Sequence, residues 1–209
     1  NGERATRARS AGDPTGLTFD IKFGYTTTGA YTIDNKIPID QWGNISDIEF
    51  VYLCEWSNPR CGISSIKSSG TKTTINMKQP GWSFCTNKIE TSVGGDYSNA
   101  DGKPWYIENA YELLDAEGEW YLDRATDYFY YKPKAGEDMS SATVIAPVLE
   151  ELMKMDGADF TTPIHNIQFK GIVFSYGTWL RPNGNRGHPD AQNNAIIEQP
   201  APIGAEYRI

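Results

Sequence analysis

Two histidines and three cysteines are the whole supply of imidazole and thiol in this 209-residue chain, and that scarcity removes several function classes at once. No CxxC spacing occurs, so zinc has no support in the sequence. No H-E-x-x-H, G-x-S-x-G or phosphate-binding glycine loop is present either. No apolar run is long enough to span a bilayer. Basic charge is in deficit: 19 Lys and Arg face 27 Asp and Glu, for a net charge of −8. Nucleic acid and anionic membrane are therefore excluded as expected partners, because phosphate recognition needs a basic surface. The one basic cluster is Arg4, Arg7 and Arg9, balanced by acids elsewhere. The opening "NGERATRARS" has no Met and no apolar leader. It reads as the end of a strand plus a turn, as in a processed chain or an excised piece.

An odd number of cysteines cannot all pair. Cys54 and Cys61 flank "EWSNPR", a tight loop that a disulfide could close. Buried free thiols are the preferred reading, since unpaired cysteine most often behaves as a small core residue.

What the chain does have is aromatic rings and turn formers. Aromatics are 12% of the residues, and 20 Gly and 12 Pro accompany them, a mixture that favours a β protein over a helical bundle. Residues 1–16 form a polar, turn-rich arm. From Leu17 short β runs follow: "LTFDIKF", "DIEFVYLCEW", "CGISSIKS" and "TKTTINMKQ", separated by "TTTGAY", "NPRCG", "SSGT" and "KQPGW". In "DIEFVYLCEW" neither alternating face is cleanly polar, so this strand is expected to be covered on both sides. A short helix is expected over "PWYIENAYELLD", where Ile107, Ala110, Tyr111 and Leu114 fall at i, i+3, i+4 and i+7 behind Pro104.

The stretch "GEWYLDRATDYFYYKP" then reads as a hairpin with aromatic rings on both faces. After residue 142 the character changes. "IHNIQFKGIVFS" is a short strand, a bend at Gly171 and a second strand with inward Ile and Phe, the pattern of a parallel β-helix coil. No second copy is evident. The expected division is an arm at 1–16, a β-barrel-like domain at 17–145, and a coil with a polar tail at 146–209.

Candidates for chemistry are sparse. Acids are plentiful, but no pair stands out as the two facing carboxylates of a glycosidase. Asp123 and Asp127 flank the hairpin turn, where Asp serves turn geometry. Asp47 and Glu49 could pair at a strand start. His165 is read as a capping or packing residue. His188 shares a polar loop with Arg181, Arg186, Asp190 and Gln192 that could take hydroxyls. The only cation candidate is calcium at Asp96, Asn99 and Asp101, which lack the spaced acid ladder of a calcium loop. No cofactor and no metal is therefore expected.

The tryptophans carry more. A sugar ring offers a C–H face to Trp or Tyr while polar neighbours take its hydroxyls. Trp56, Trp82, Trp105 and Trp179 all sit at strand or loop edges. Trp120 is mid-strand and is assigned to the core.

Several segments together, "NGERATRARS", "SDIEFVYLCEWSNPRCGISSI", "MKQPGW", "PWYIENAYELLDAEGEWYLDRATDYFYY" and "PIHNIQFKGIVFSYGTWLRP", resemble bacterial right-handed parallel β-helix proteins of the glycoside hydrolase family 141 type. The resemblance implies an all-β fold. Its elements are a barrel- or sandwich-like insertion domain, parallel β-helix-type coils at its ends and one or two short helices. It also implies secretion or a periplasmic location, and a polysaccharide or oligosaccharide partner of the xylan or fucosylated type. The remainder of a β-helix hydrolase is a further implied partner, because the family's later coils have no counterpart here. No catalytic residue is carried over, and a complete hydrolase reaction by this chain is not expected. In such a fold the second aromatic face of the hairpin is most simply a second packed layer.

The leading expectation is a noncatalytic carbohydrate-binding module. Stacking falls to Trp56, Trp82, Trp105 or Trp179, and Arg60, Arg181, His188 and Gln192 serve as hydroxyl partners. The alternatives are a hydrolase fragment that builds part of a substrate cleft, and a structural or oligomerisation insert that covers a sheet edge.

Overall fold

The computed structural model describes residues 2–11, 30–34, 38–54, 58–86, 102–149, 152–155, 157–159, 161–178, 189–190, 195–196 and 207–208. The elements in chain order begin with β1 (Thr6–Arg7), β2 (Ala30–Asp34), β3 (Glu49–Val51), β4 (Arg60–Ser69) and β5 (Lys72–Met77). They continue with the short helix α1 (Gly81–Thr86), then β6 (Tyr106–Glu108), β7 (Glu119–Asp123) and β8 (Tyr128–Tyr131). The described part of the chain is all-β and sandwich-like.

Five strands form one antiparallel sheet in the order β2-β5-β4-β3-β6. The β4–β5 hairpin follows from its sequence: "SSGT" places Gly70 at φ 60°, a conformation that side chains resist, and Ser69 pairs with Lys72 across the turn. An irregularity between Ile63 and Ser65 shifts the register of this pair. In β3, Glu49, Phe50 and Val51 are all buried, as expected of a strand covered on both sides.

The second sheet is β1-β7-β8, with β1 parallel to β7 and β7 antiparallel to β8. The arm joins the two sheets. Ala8 N–H donates to the Trp120 carbonyl at 2.8 Å, and the Ala8 carbonyl accepts from Asn109 N–H at 2.8 Å. Ser10 N–H donates to the Ile107 carbonyl, also at 2.8 Å. Residues 8–10 therefore stand between β7 and β6, and Ala8, with no side chain beyond Cβ, is fully buried there.

The core lies under this junction. Ile39, Ile48, Phe50, Tyr52, Ile63, Ile75, Met77, Ile107 and Tyr121 form one buried cluster. Burying a side chain of this size is worth roughly 1.5–3 kcal/mol each before conformational entropy is charged against it. The three cysteines are free and buried in the same cluster, as the preferred reading had it.

The structure corrects the helix expected over "PWYIENAYELLD". Residues 106–108 are a strand that pairs with β3, Phe50 opposite Ile107, and only Tyr111–Leu113 winds into a 3₁₀ turn. Asn109 at φ 66° separates the two and breaks any continuous helix. The helical spacing is produced by a strand followed by a turn: Ile107 and Ala110 enter the core and Leu114 packs against it, while Tyr111 is exposed.

The hairpin packs at one end only. Trp120 pairs with Tyr131 and Tyr121 with Tyr130 in register. Tyr121 is buried in the core, while Trp120 donates its indole N–H to the Ala5 carbonyl at 3.3 Å and lies under the Arg7 guanidinium. Toward the turn both faces open, with Tyr128 and Phe129 exposed.

From Lys132 to Gly177 nearly every described residue is exposed; only Leu152, Met153 and Met155 are half-buried. The two short strands expected in 164–174 are not formed, and Ile164, Ile167, Phe169, Ile172 and Phe174 face solvent instead of inward. The bend is where it was expected, with Gly171 at φ 68°. One parallel bridge, Leu149 with Gly177, is present, and Thr178 N–H donates to the Leu149 carbonyl at 2.9 Å.

Candidate functional site

An open groove of about 310 Å³ lies where the arm passes between the two sheets. Its walls are Trp105 and Tyr106 at the start of β6, Thr6, Arg9, Ser10 and Ala11 of the arm, and the turn formed by Asp115, Ala116, Glu117 and Glu119. Trp105 is 55% exposed, although its backbone is fixed by an N–H bond to the Val51 carbonyl at 2.7 Å. A large apolar ring is thus held in water on a rigid backbone, which the packing of the core does not require.

The polar groups of the groove are also fixed. The Arg9 guanidinium sits 4.9 Å from the Tyr106 ring centroid, a cation–π contact that leaves its N–H fork available. Glu119, 4% exposed, accepts from the Arg9 backbone N–H at 3.3 Å through one carboxylate oxygen. Its other oxygen accepts from Asp115 N–H at 3.2 Å and Ala116 N–H at 3.1 Å. One buried carboxylate therefore ties the arm to the turn. Lys132 reaches the Asp115 carbonyl, and Glu117 accepts from Ala135 N–H at 2.9 Å. The outcome is an apolar ring beside a guanidinium and two exposed acidic side chains. No cysteine or histidine lines the groove, so it offers no thiol nucleophile and no imidazole base.

Beneath the arm runs a buried ion-pair network. Arg7 donates to Glu49 at 2.7 Å and lies 3.5 Å from Glu108; Arg60 donates to Glu108 at 2.9 Å. Glu49 and Glu108 are directly opposite across β3 and β6. Burial pushes the Glu49 carboxyl above the ordinary carboxylate value, and the neighbouring Glu108 adds to the rise against the pull of Arg7. Asp47 does not pair with Glu49: its carbonyl accepts from Asn109, and its carboxylate lies 3.8 Å from Arg124.

Of the residues proposed from the sequence, Trp105 alone reaches a described groove. Trp82 is 7% exposed and packs on Tyr52 with ring centroids 6.0 Å apart, so it offers no free face. Arg60, expected as a hydroxyl partner, is engaged by Glu108 and by Asn58 Oδ1 at 3.0 Å. Trp56, Trp179, Arg181, His188 and Gln192 lie outside the described residues, as do Asp96, Asn99 and Asp101. His165 is exposed and contacts its neighbour Asn166. Among the described residues no cluster of His, Cys, Asp and Glu is arranged to hold a metal. Arg9, Ser10, Tyr106, Asp115 and Glu117 were not anticipated. Their signal was the "RAR" and "DAEGE" runs, which only the pairing of β1 with β7 brings together.

Residues 1–134 match the family model of the GH141 insertion domain. The chain belongs to that family. The match contains every residue of the groove and the whole β7–β8 hairpin, so the site described is part of the insertion domain proper. A solved structure of a protein named as a glycoside hydrolase is similar, with a TM-score of 0.67 and 28% identity over 87% of this chain. The aligned part is 31% of that structure, so this chain spans about a third of its length. No curated protein matches.

Proposed function

We propose that this GH141 insertion domain is a noncatalytic module that holds a neutral polysaccharide, of the xylan or fucosylated type, for a glycoside hydrolase. The observation that carries it is Trp105, held exposed on a fixed backbone beside Arg9, Asp115 and Glu117. An indole face suits the C–H face of a pyranose, while a guanidinium and carboxylates suit its hydroxyls. The net charge of −8 favours an uncharged ligand over an anionic one. Trp56, Trp179, Arg181, His188 and Gln192 belong to the same proposal as further contacts. Secretion or a periplasmic location follows from the same reading. Among the described residues no helix is long and apolar enough to cross a membrane.

The test is native affinity electrophoresis in gels containing soluble xylan or a fucosylated glycan. Loss of the indole stack should weaken binding by about 1–2 kcal/mol, roughly a tenfold change in Kd. Retardation of the wild type that Trp105→Ala largely removes is expected. Retardation undiminished in a folded Trp105→Ala variant, or absent with every glycan, overturns it.

One observation favours a second role, as a piece of a hydrolase that the rest of the enzyme completes. Val144, Ile145, Val148, Leu149, Ile172 and Val173 form an apolar run that is 52–86% exposed. A run of this kind is costly in water and suits burial by further coils of a parallel β-helix, a reading that the parallel Leu149–Gly177 bridge supports. The division into an arm at 1–16, a domain at 17–145 and a coil at 146–209 belongs to this proposal; the change from packed to exposed residues falls somewhat earlier, at Lys132.

A further inference from the structure

The face of the hairpin that carries Tyr121 continues past the core into solvent as a set of linked tyrosines. Tyr121 and Tyr130 are paired in register with centroids 6.4 Å apart, and Tyr111 meets Tyr130 edge-on at 5.1 Å. Tyr128, two residues before Tyr130 on the same face of β8, lies 6.3 Å from it. The set is anchored at its base: Tyr121 is 1% exposed and accepts a hydrogen bond from Asn44 Nδ2 at 2.7 Å. Its outer members are not buried. Tyr111 is 53% exposed and Tyr128 is 65% exposed.

The phenols on the two faces of the hairpin are treated differently. Tyr131, on the opposite face, donates to Glu137 at 2.7 Å. Among the described residues the phenol oxygens of Tyr111, Tyr128 and Tyr130 have no hydrogen-bond partner. Around them stand fixed acceptors. Asp123 is held by Asn44 Nδ2 at 2.9 Å and by Ala125 N–H at 2.9 Å, and Glu112 accepts from Gly43 N–H at 2.8 Å.

We infer that Tyr111, Tyr128 and Tyr130 form a second stacking surface for a neutral glycan chain, separate from the Trp105 groove. The inference rests on the carbohydrate-binding reading of the domain. Exposed rings with a rigid base offer apolar area at little entropic cost, and the phenols and the Asp123 and Glu112 carboxylates beside them can exchange water for the hydroxyls of a ligand. A glycan brings a C–H face and several hydroxyls to each ring. A proline-rich peptide, the other ligand that favours tyrosine-lined surfaces, offers few N–H donors to the Asp123 and Glu112 carboxylates, whereas each hydroxyl of a glycan can donate. Anionic ligands are disfavoured by Asp123 and Glu112.

The experiment compares wild type, Tyr111→Ala/Tyr128→Ala, Tyr111→Phe/Tyr128→Phe and Trp105→Ala in affinity gels containing soluble xylan or a fucosylated glycan. A proline-rich peptide is titrated separately, and urea midpoints establish that each variant folds. The alanine pair is expected to weaken retardation at least threefold and the phenylalanine pair to retain most of it. Trp105→Ala is expected to weaken it independently. Retardation lost in Trp105→Ala but unchanged in the alanine pair overturns the second surface and leaves the groove standing. Retardation lost in the alanine pair but unchanged in Trp105→Ala overturns the groove instead. Absence of retardation in the wild type overturns both. Peptide binding that the alanine pair abolishes, without any glycan effect, also overturns this inference.

Discussion

Arg7→Ala tests whether the arm is a structural element or a loose end. In the folded protein the Arg7 guanidinium lies 2.7 Å from one Glu49 oxygen and 3.5 Å from Glu108, whose side chains are 9% and 6% exposed. Removing one partner of a buried pair costs about 3–5 kcal/mol when the remaining charge is left without compensation. Arg7 itself is 26% exposed, and Glu108 keeps Arg60 at 2.9 Å, so the cost falls below that range, to about 2–3 kcal/mol. The contact with the Trp120 ring at 5.5 Å adds about 0.5–1 kcal/mol. In urea at pH 7 the midpoint should fall by about 1 M at constant slope.

The pH dependence supplies the sign. The folded Glu49 carboxyl lies above its ordinary value of 4.5, because burial outweighs Arg7. Its contribution is therefore fully present below 4.5 and is lost as pH rises through the folded value. Without Arg7 that value rises further, so Arg7→Ala should cost less in acid than at pH 7. Adding Glu49→Gln to Arg7→Ala should recover part of the loss at pH 7. A cost below about 0.5 kcal/mol, the level of an ordinary surface substitution, or a cost equal at the two pH values, would refute the reasoning.

The remaining predictions concern the tryptophans, the thiols and the exposed coil. Trp82→Ala should lower stability by about 3–5 kcal/mol, read from urea unfolding, because it empties a packed site against Tyr52. Trp105→Ala should change it by no more than about 0.5 kcal/mol. A thiol reagent should titrate no cysteine quickly in the native protein and all three after denaturation, since Cys54, Cys61 and Cys85 are free and buried and burial pushes the Cys61 thiol up. Val173→Thr, at an 86% exposed position, should leave the unfolding free energy of this chain, read from urea, unchanged within about 0.5 kcal/mol.

Much of the sheet was legible because local chemistry dictates it. "CGISSIKSSGTKTTINM" carries its own turn, and its two runs pair across Gly70. The mixed faces of "DIEFV" announced a strand buried on both sides. The helix expected from Ile107 to Leu114 failed because periodicity does not see Asn109 in the left-handed region, nor that Ile107 lies opposite Phe50. The ion-pair network was hidden for a different reason. Arg7, Glu49, Arg60 and Glu108 are far apart in the chain: the pairing of β3 with β4 and β6 gathers Glu49, Arg60 and Glu108, and the passage of the arm adds Arg7. The groove shares that origin. Trp105 was recognisable as a loop tryptophan, but Arg9 and Asp115 acquire meaning only from the parallel pairing of Thr6 with Glu119.

The most direct measurement is a two-dimensional NMR titration of the 15N-labelled indoles with a soluble glycan that retards the protein. The chain has six tryptophans, and the Trp105 signal is identified by its absence from the spectrum of Trp105→Ala. Binding at the groove predicts that the Trp105 signal moves in a saturable manner while that of buried Trp82 stays in place. A Trp105 signal that stays fixed while the glycan binds would contradict it.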